Sequence, residues 1–242
     1  MLDSFRSLFA PPRHLILFVL AMWLGVALAE KRALKYNISK DQLNNIFFYS
    51  LLGFIIGGRL SFVLQNISAF IQSPLSIFSN NLDVFDILGG VATFLILLIT
   101  FSQRYQVKFW SLLDALTPCF AIISIGLGLS NLASGAAFGL PTDLAWSIQL
   151  WNANRHPTQI YQTIASFLIF IWIWLQKHNL PSGILFLIFI SLTTLAQFVI
   201  GAFRADYTIM FNGIKQEQLY TFILLIISFL LIEIRLKNKP AQ

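Results

Sequence analysis

The stretch GILFLIFISLTTLAQFVIGAF, residues 183–203, runs for 21 residues without one ionisable side chain. A helix rises about 1.5 Å per residue, so such a segment spans roughly 30 Å, the thickness of bilayer hydrocarbon. No soluble domain needs an apolar helix of that length without a charged face, and the stretch reads as a membrane span. Working outward from it, comparable runs occupy residues 15–29, 43–58 (continuing past Arg59 to 70), 87–102, 115–129, 160–176 and 219–232. The first and last are shorter than the ~20 residues of an untilted span, and flanking aromatic residues with snorkelling Lys and Arg extend them. The pattern predicts an all-α integral membrane protein of about seven transmembrane helices, residues 1–242 forming a single polytopic domain.

Composition supports this. Hydrophobic residues make up 57% and charged residues 11%, against roughly 25% charged in a soluble domain. The net charge of +6 punctuates the apolar runs instead of forming one patch, which suits loops held against anionic headgroups and excludes a nucleic-acid role. The one cysteine, Cys119, excludes an internal disulfide and reads as a small core residue. His14, His156 and His178 are scattered, so no metal set and no cofactor is expected. Arg6 and Arg13 precede an apolar run, but no cleavage site follows, and the run reads as the first helix.

Orientation follows from alternate loops. Arg6, Arg13, Arg155, Arg204 and Lys215 fall on one side. Lys31, Arg32, Lys35, Lys40, Arg104, Lys108, Lys177, Arg235, Lys237 and Lys239 fall on the other. The richer side is cytoplasmic by the positive-inside rule, placing the N-terminus outside and the C-terminus in the cytoplasm.

Four polar clusters interrupt the apolar pattern. Gly57-Gly58-Arg59-Leu60 buries a charge within a span, at a cost of ~2.5–3.5 kcal/mol on insertion scales. Arg59 therefore reads either as a cavity-facing phosphate ligand or as one half of a pair with Asp86 or Asp114. Asn131 with Gly135 and Gly139, then Pro141-Thr142-Asp143, ends a span in small residues. These either present backbone N–H groups to an oxyanion or simply let helices pack. Arg155-His156-Pro157-Thr158-Gln159-Ile160-Tyr161 opens another span, with Pro157 at the helix start. It reads as a phosphate clamp with a proton-transferring His, or as an interfacial anchor. Arg204 and Asp206 leave the 183–203 span as a helix-closing pair or as a second phosphate ligand.

In this order and spacing the segments resemble the bacterial prolipoprotein diacylglyceryl transferases, from about residue 41 to 221. The run Arg155-His156-Pro157-Thr158-Gln159-Ile160-Tyr161 is similar to the family's R-H-P-[ST]-Q-L-Y. Pro181-Ser182-Gly183 and Gln218-Leu219 follow in family order. The resemblance implies a multi-pass protein of the bacterial cytoplasmic membrane that moves diacylglycerol from phosphatidylglycerol to a prolipoprotein cysteine. It implies His156 and Arg204 as catalytic residues. Arg59, Asn131, Gly135, Arg155, Gln159, Tyr161 and Asp206 are then the lipid-binding set. The sequence departs from the family where an embedded His, two Arg and two Glu are expected: Leu88, Gly128, Ala136, Gln197 and Gly201 stand there. The alternative is an inactive relative that binds lipid or serves as a subunit beside a membrane-protein partner. A small-solute carrier is disfavoured by the lack of paired half-helices.

Overall fold

A computed structural model describes residues 2–78, 84–176, 180–210 and 213–237. Lys177, His178 and Lys239 lie outside these. The described chain is almost entirely helical: α1 Leu2–Leu8, α2 Leu15–Ala33, α3 Lys40–Gln65, α4 Ile67–Gln72, α5 Ile87–Arg104 and α6 Phe109–Ser134. After the strands β1 Ile148–Leu150 and β2 Ala153–Arg155 come α7 Thr158–Leu175, α8 Ile184–Gly201 and α9 Gln216–Lys237. Six of these helices, α3 and α5 to α9, are long and apolar enough to cross a membrane. The protein is an all-α multi-pass membrane protein. The first apolar stretch is helical too, as α2, and carries Glu30, Lys31 and Arg32 near its end.

The chain gathers into two compact units, residues 36–112 and residues 1–35 with 113–242. In the first, α3 starts on a capping box: Ser39 Oγ accepts from the Gln42 N–H, and Gln42 Oε1 accepts from the Ser39 N–H. Glycines let α3 and α5 approach closely. A Cβ on Gly57 would lie 2.1 Å from Thr93 Oγ1, and one on Gly53 would lie 2.3 Å from Leu97 Cδ1. Asp86 caps α5 through the Gly89 N–H at 2.9 Å and also accepts from Ser61 Oγ at 2.6 Å. The Ser61 bond, with that of Gly89 next, holds the Asp86 carboxyl below the ordinary carboxylate range.

In the second unit, Ala121, Ile173, Leu185 and Phe189 form a buried cluster joining α6, α7 and α8. The α7–α8 connection is fixed electrostatically at both ends. Arg32, 4% exposed, donates from Nη1 to the Ile173 carbonyl and from Nη2 to the Gln176 carbonyl, where α7 ends. Asp114, 1% exposed, accepts the N–H groups of Gly183 at 2.6 Å and Phe186 at 2.9 Å, where α8 begins. A cation at a helix C-terminus and an anion at an N-terminus both oppose the helix dipole. Gly183 makes the turn with φ +92°, a conformation that disfavours a side chain.

Candidate functional site

Small residues decide how the chain leaves α6. Gly135 breaks the helix with φ +77°, its N–H still bonded to the Asn131 carbonyl at 2.9 Å. Residues 138–142 then run extended between two neighbours. On one side the Leu140 N–H donates to the Phe203 carbonyl at 2.8 Å, and the Ala205 N–H donates to the Phe138 carbonyl at 3.0 Å. On the other, the His156 N–H donates to the Leu140 carbonyl at 3.0 Å, and the Thr142 N–H to the Asn154 carbonyl at 2.9 Å. Bridges pair Gly139 with Arg204 and Pro141 with Arg155. This short ladder links Arg155, His156 and Arg204, which are distant in sequence. Gly139 is required by the approach itself: a Cβ there would sit 2.3 Å from the His156 carbonyl oxygen.

The motif from Arg155 to Tyr161 is also a mould for that loop. Arg155 ends β2, which pairs antiparallel with β1. It donates from Nε to the Leu150 carbonyl at 3.0 Å and from Nη1 to the Gly139 carbonyl at 3.1 Å, and its guanidinium lies over the Phe138 ring. Thr158 Oγ1 donates to the Ala137 carbonyl at 2.6 Å, and Gln159 Nε2 to the Ala136 carbonyl at 2.7 Å. Gln159 is fully buried, and its Oε1 has no hydrogen-bond partner among the described residues. His156 Nδ1 lies 3.4 Å from the Tyr161 hydroxyl, which accepts from Trp146 Nε1 at 2.9 Å. The imidazole packs on Phe203, 5.0 Å between ring centroids.

Arg204 grips Asp206 with two parallel bonds, Nε to Oδ1 at 2.8 Å and Nη2 to Oδ2 at 2.5 Å, and lies over the Tyr207 ring at 4.4 Å. Lys215 closes the end of α8, donating to the carbonyls of Gly201, Ala202 and Arg204. Burial holds the Lys215 ammonium below its ordinary range and raises the Tyr207 phenol. Among the described residues, Arg155 Nη2 and Arg204 Nη1 have no acceptor. Arg155 and Arg204 are thus each held in place with a donor left over, and a guanidinium donor is the kind of group that binds a phosphate oxyanion.

The expected residues are therefore partly gathered. Arg155, His156, Gln159, Tyr161, Arg204 and Asp206 belong to this cluster and its support, while Gly135 shapes the loop. Asn131 is half-buried on the last turn of α6, with its carbonyl used by Gly135. Arg59 stands in the other unit, half-buried, where its Nε donates to the Ile77 carbonyl at 2.8 Å. Asp114, one of the partners weighed for it, caps α8 instead. The Arg204–Asp206 pair forms as the sequence allowed. Phe138, Trp146, Tyr207 and Lys215 were not among the expected site residues, and for Phe138 and Tyr207 the reason is that an aromatic under a guanidinium has no local signature.

Of the positions at which the resemblance implies charged residues, Gly128 and Gly201 are closed by their neighbours. A Cβ on Gly128 would lie 2.4 Å from Thr163 Oγ1, and one on Gly201 would lie 2.9 Å from Gln218 Cγ and 3.0 Å from Tyr207 Cε2. Ala136 and Leu88 are exposed, and Gln197 is half-buried.

The family model described as prolipoprotein diacylglyceryl transferase matches residues 14–234. Among curated proteins, the chain is similar to the phosphatidylglycerol–prolipoprotein diacylglyceryl transferase of Aeromonas hydrophila, 27% identical over 239 residues, covering 93% of this chain and 85% of that one. The protein of the same name from Campylobacter curvus is 30% identical over 210 residues (78% and 75%). That from Rickettsia felis is 31% identical over 197 residues (74% of each).

Proposed function

Because this chain belongs to the prolipoprotein diacylglyceryl transferase family, we propose that it transfers the diacylglyceryl group of phosphatidylglycerol to the cysteine thiol of a prolipoprotein, at the outer face of a bacterial cytoplasmic membrane. The N-terminus then lies outside and the C-terminus in the cytoplasm. The observation that carries this reading is the ladder through Leu140, which ties Arg155, His156 and Arg204 to one stretch of backbone.

In the reaction the cysteine sulfur forms a bond to the glyceryl carbon while that carbon's bond to the phosphate oxygen breaks. The bonding electrons leave with glycerol phosphate, and the thiol proton passes to a base. Arg155 and Arg204 are rigidly held, so they meet the developing phosphate charge without reorganising. Each keeps an N–H-bearing nitrogen free of described acceptors. His156 is the proton acceptor: with Nδ1–H donating to the Tyr161 oxygen, Nε2 carries the lone pair. Asn131, Gln159 and Gly135 hold the loop against which the headgroup rests.

A second reading has its own support. Gly128 and Gly201 are closed by Thr163, Gln218 and Tyr207, at positions where the resemblance implies charged residues. A relative so altered binds phosphatidylglycerol without transferring it. One experiment separates the two. Purified protein is given radiolabelled phosphatidylglycerol and a peptide carrying a lipoprotein cysteine, and both bound lipid and thioether product are measured. Product that disappears in Arg155→Gln supports transfer. Bound lipid without product leaves the second reading, and neither lipid nor product removes both.

A further inference from the structure

The same unit carries a second feature that the transfer reaction does not use. α7 leads away from Thr158, beside the cluster, for 18 residues to Leu175, beside Arg32, a distance of about 27 Å. There a cavity of about 170 Å³ is lined by Lys31, Arg32, Lys35 and Trp174. Among the described residues no carboxylate lines it. Arg32 is buried and pinned by two carbonyls, its Nε without a partner among the described residues, whereas Lys31 and Lys35 are exposed. A buried cation fixed in the protein, with two exposed ones lining the same cavity, is a built anion site, unlike three side chains snorkelling separately into water.

A long apolar groove of about 460 Å³ between α2, α6 and α7 shares the elements of this cavity. Leu24 and Leu28 line the groove, Lys31 continues the same stripe of α2, and Lys35 follows in the 3-10 turn Leu34–Tyr36. On α7, Phe167 and Phe170 line the groove and Trp174 follows at the same spacing. An apolar trough leading to a basic end with an interfacial Trp matches one kind of ligand: an acyl chain joined to an anionic headgroup.

We propose that an anionic phospholipid binds here, its acyl chain along α2 and α7 and its phosphodiester against Lys31, Arg32 and Lys35. The occupant is a lipid of the leaflet opposite the cluster, held as a structural ligand, and the proposal does not depend on the transfer activity.

The test uses the full chain in detergent, with retained lipid counted by native mass spectrometry after titration with phosphatidylglycerol, phosphatidylcholine or soluble glycerol 3-phosphate. Wild type retains phosphatidylglycerol in preference to phosphatidylcholine. Lys31→Gln with Lys35→Gln weakens that component about thirtyfold, from about fivefold for each Lys near a headgroup. Leu20→Trp, which narrows the groove but keeps the charges, weakens it as well. Retention in the double Lys variant equal to wild type would overturn the proposal. So would equal retention of phosphatidylcholine, or glycerol 3-phosphate competing as well as the lipid, since that would make the cavity a free-phosphate site.

Discussion

The Arg155 guanidinium lies 5.0 Å from the centroid of the Phe138 ring while its Nη1 holds the carbonyl of the next residue, Gly139, at 3.1 Å. One side chain thus both shapes the loop and supplies its charge. A lysine keeps the charge but has neither the planar fork nor the ring-stacking face. Arg155→Lys is therefore expected to lower transfer by about 10²–10³-fold, the scale of one lost preorganised contact. The comparison is product formation at saturating lipid. A lysine variant within a few-fold of wild type would show that charge alone suffices.

Gly128 faces Thr163 so closely that a Cβ at 128 meets Oγ1 at 2.4 Å and the Thr163 backbone nitrogen at 3.2 Å. Gly128→Ala is expected to destabilise by about 1–3 kcal/mol, the usual cost of overpacking. Adding Thr163→Ala removes the Oγ1 clash and should recover part of that loss. Unfolding in a denaturing detergent gradient reads both variants. If the alanine alone is harmless, the two helices are looser than the geometry states.

Asp114 takes two backbone N–H groups at the start of α8. Asp114→Ala leaves both donors buried without an acceptor, at a cost of about 2–4 kcal/mol. Asp114→Asn keeps one acceptor oxygen and should lose roughly half as much. The same unfolding assay ranks wild type, Asn and Ala in that order, and an alanine variant as stable as wild type would deny the cap any role.

The Asp86 carboxyl titrates below its ordinary value because Ser61 and Gly89 hydrogen-bond its charged form. With the folded value depressed, its stabilising contribution is complete above the unfolded value, near pH 3.9. It is lost as pH falls through the lower folded value. Between about pH 5 and about pH 2 the wild-type protein should lose more stability than Asp86→Asn, read as the change in thermal midpoint. Parallel curves for the two would show that this cap does not respond to acid.

The spans were legible because bilayer hydrocarbon demands long uncharged runs, and 183–203 announces itself without any neighbour. α8 occupies Ile184–Gly201 within that run. The cluster was legible only in part. Arg155, His156 and Arg204 stood out as polar groups in an apolar chain, but nothing local reveals that residues 138–142 run between them. The hairpin of β1 and β2 was missed, because three-residue strands have too few positions to show alternation. Arg59 read as a candidate for the same headgroup, although chain position alone does not fix which unit a side chain joins. Gly128 read from the resemblance as a lost charge, and nothing in the sequence signalled the close contact that its missing side chain allows with Thr163.

The bonds from Arg32 to the carbonyls of Ile173 and Gln176 carry a consequence for biosynthesis. Arg32 and Ile173 lie 141 residues apart. A ribosome adding roughly 5–20 residues per second makes the acceptors many seconds after the donor. During that interval the newly inserted α2 must keep its guanidinium among lipid headgroups. Arrival of α7 then supplies the two carbonyls that fix the direction of that side chain, so the late helix completes the seating of the early one.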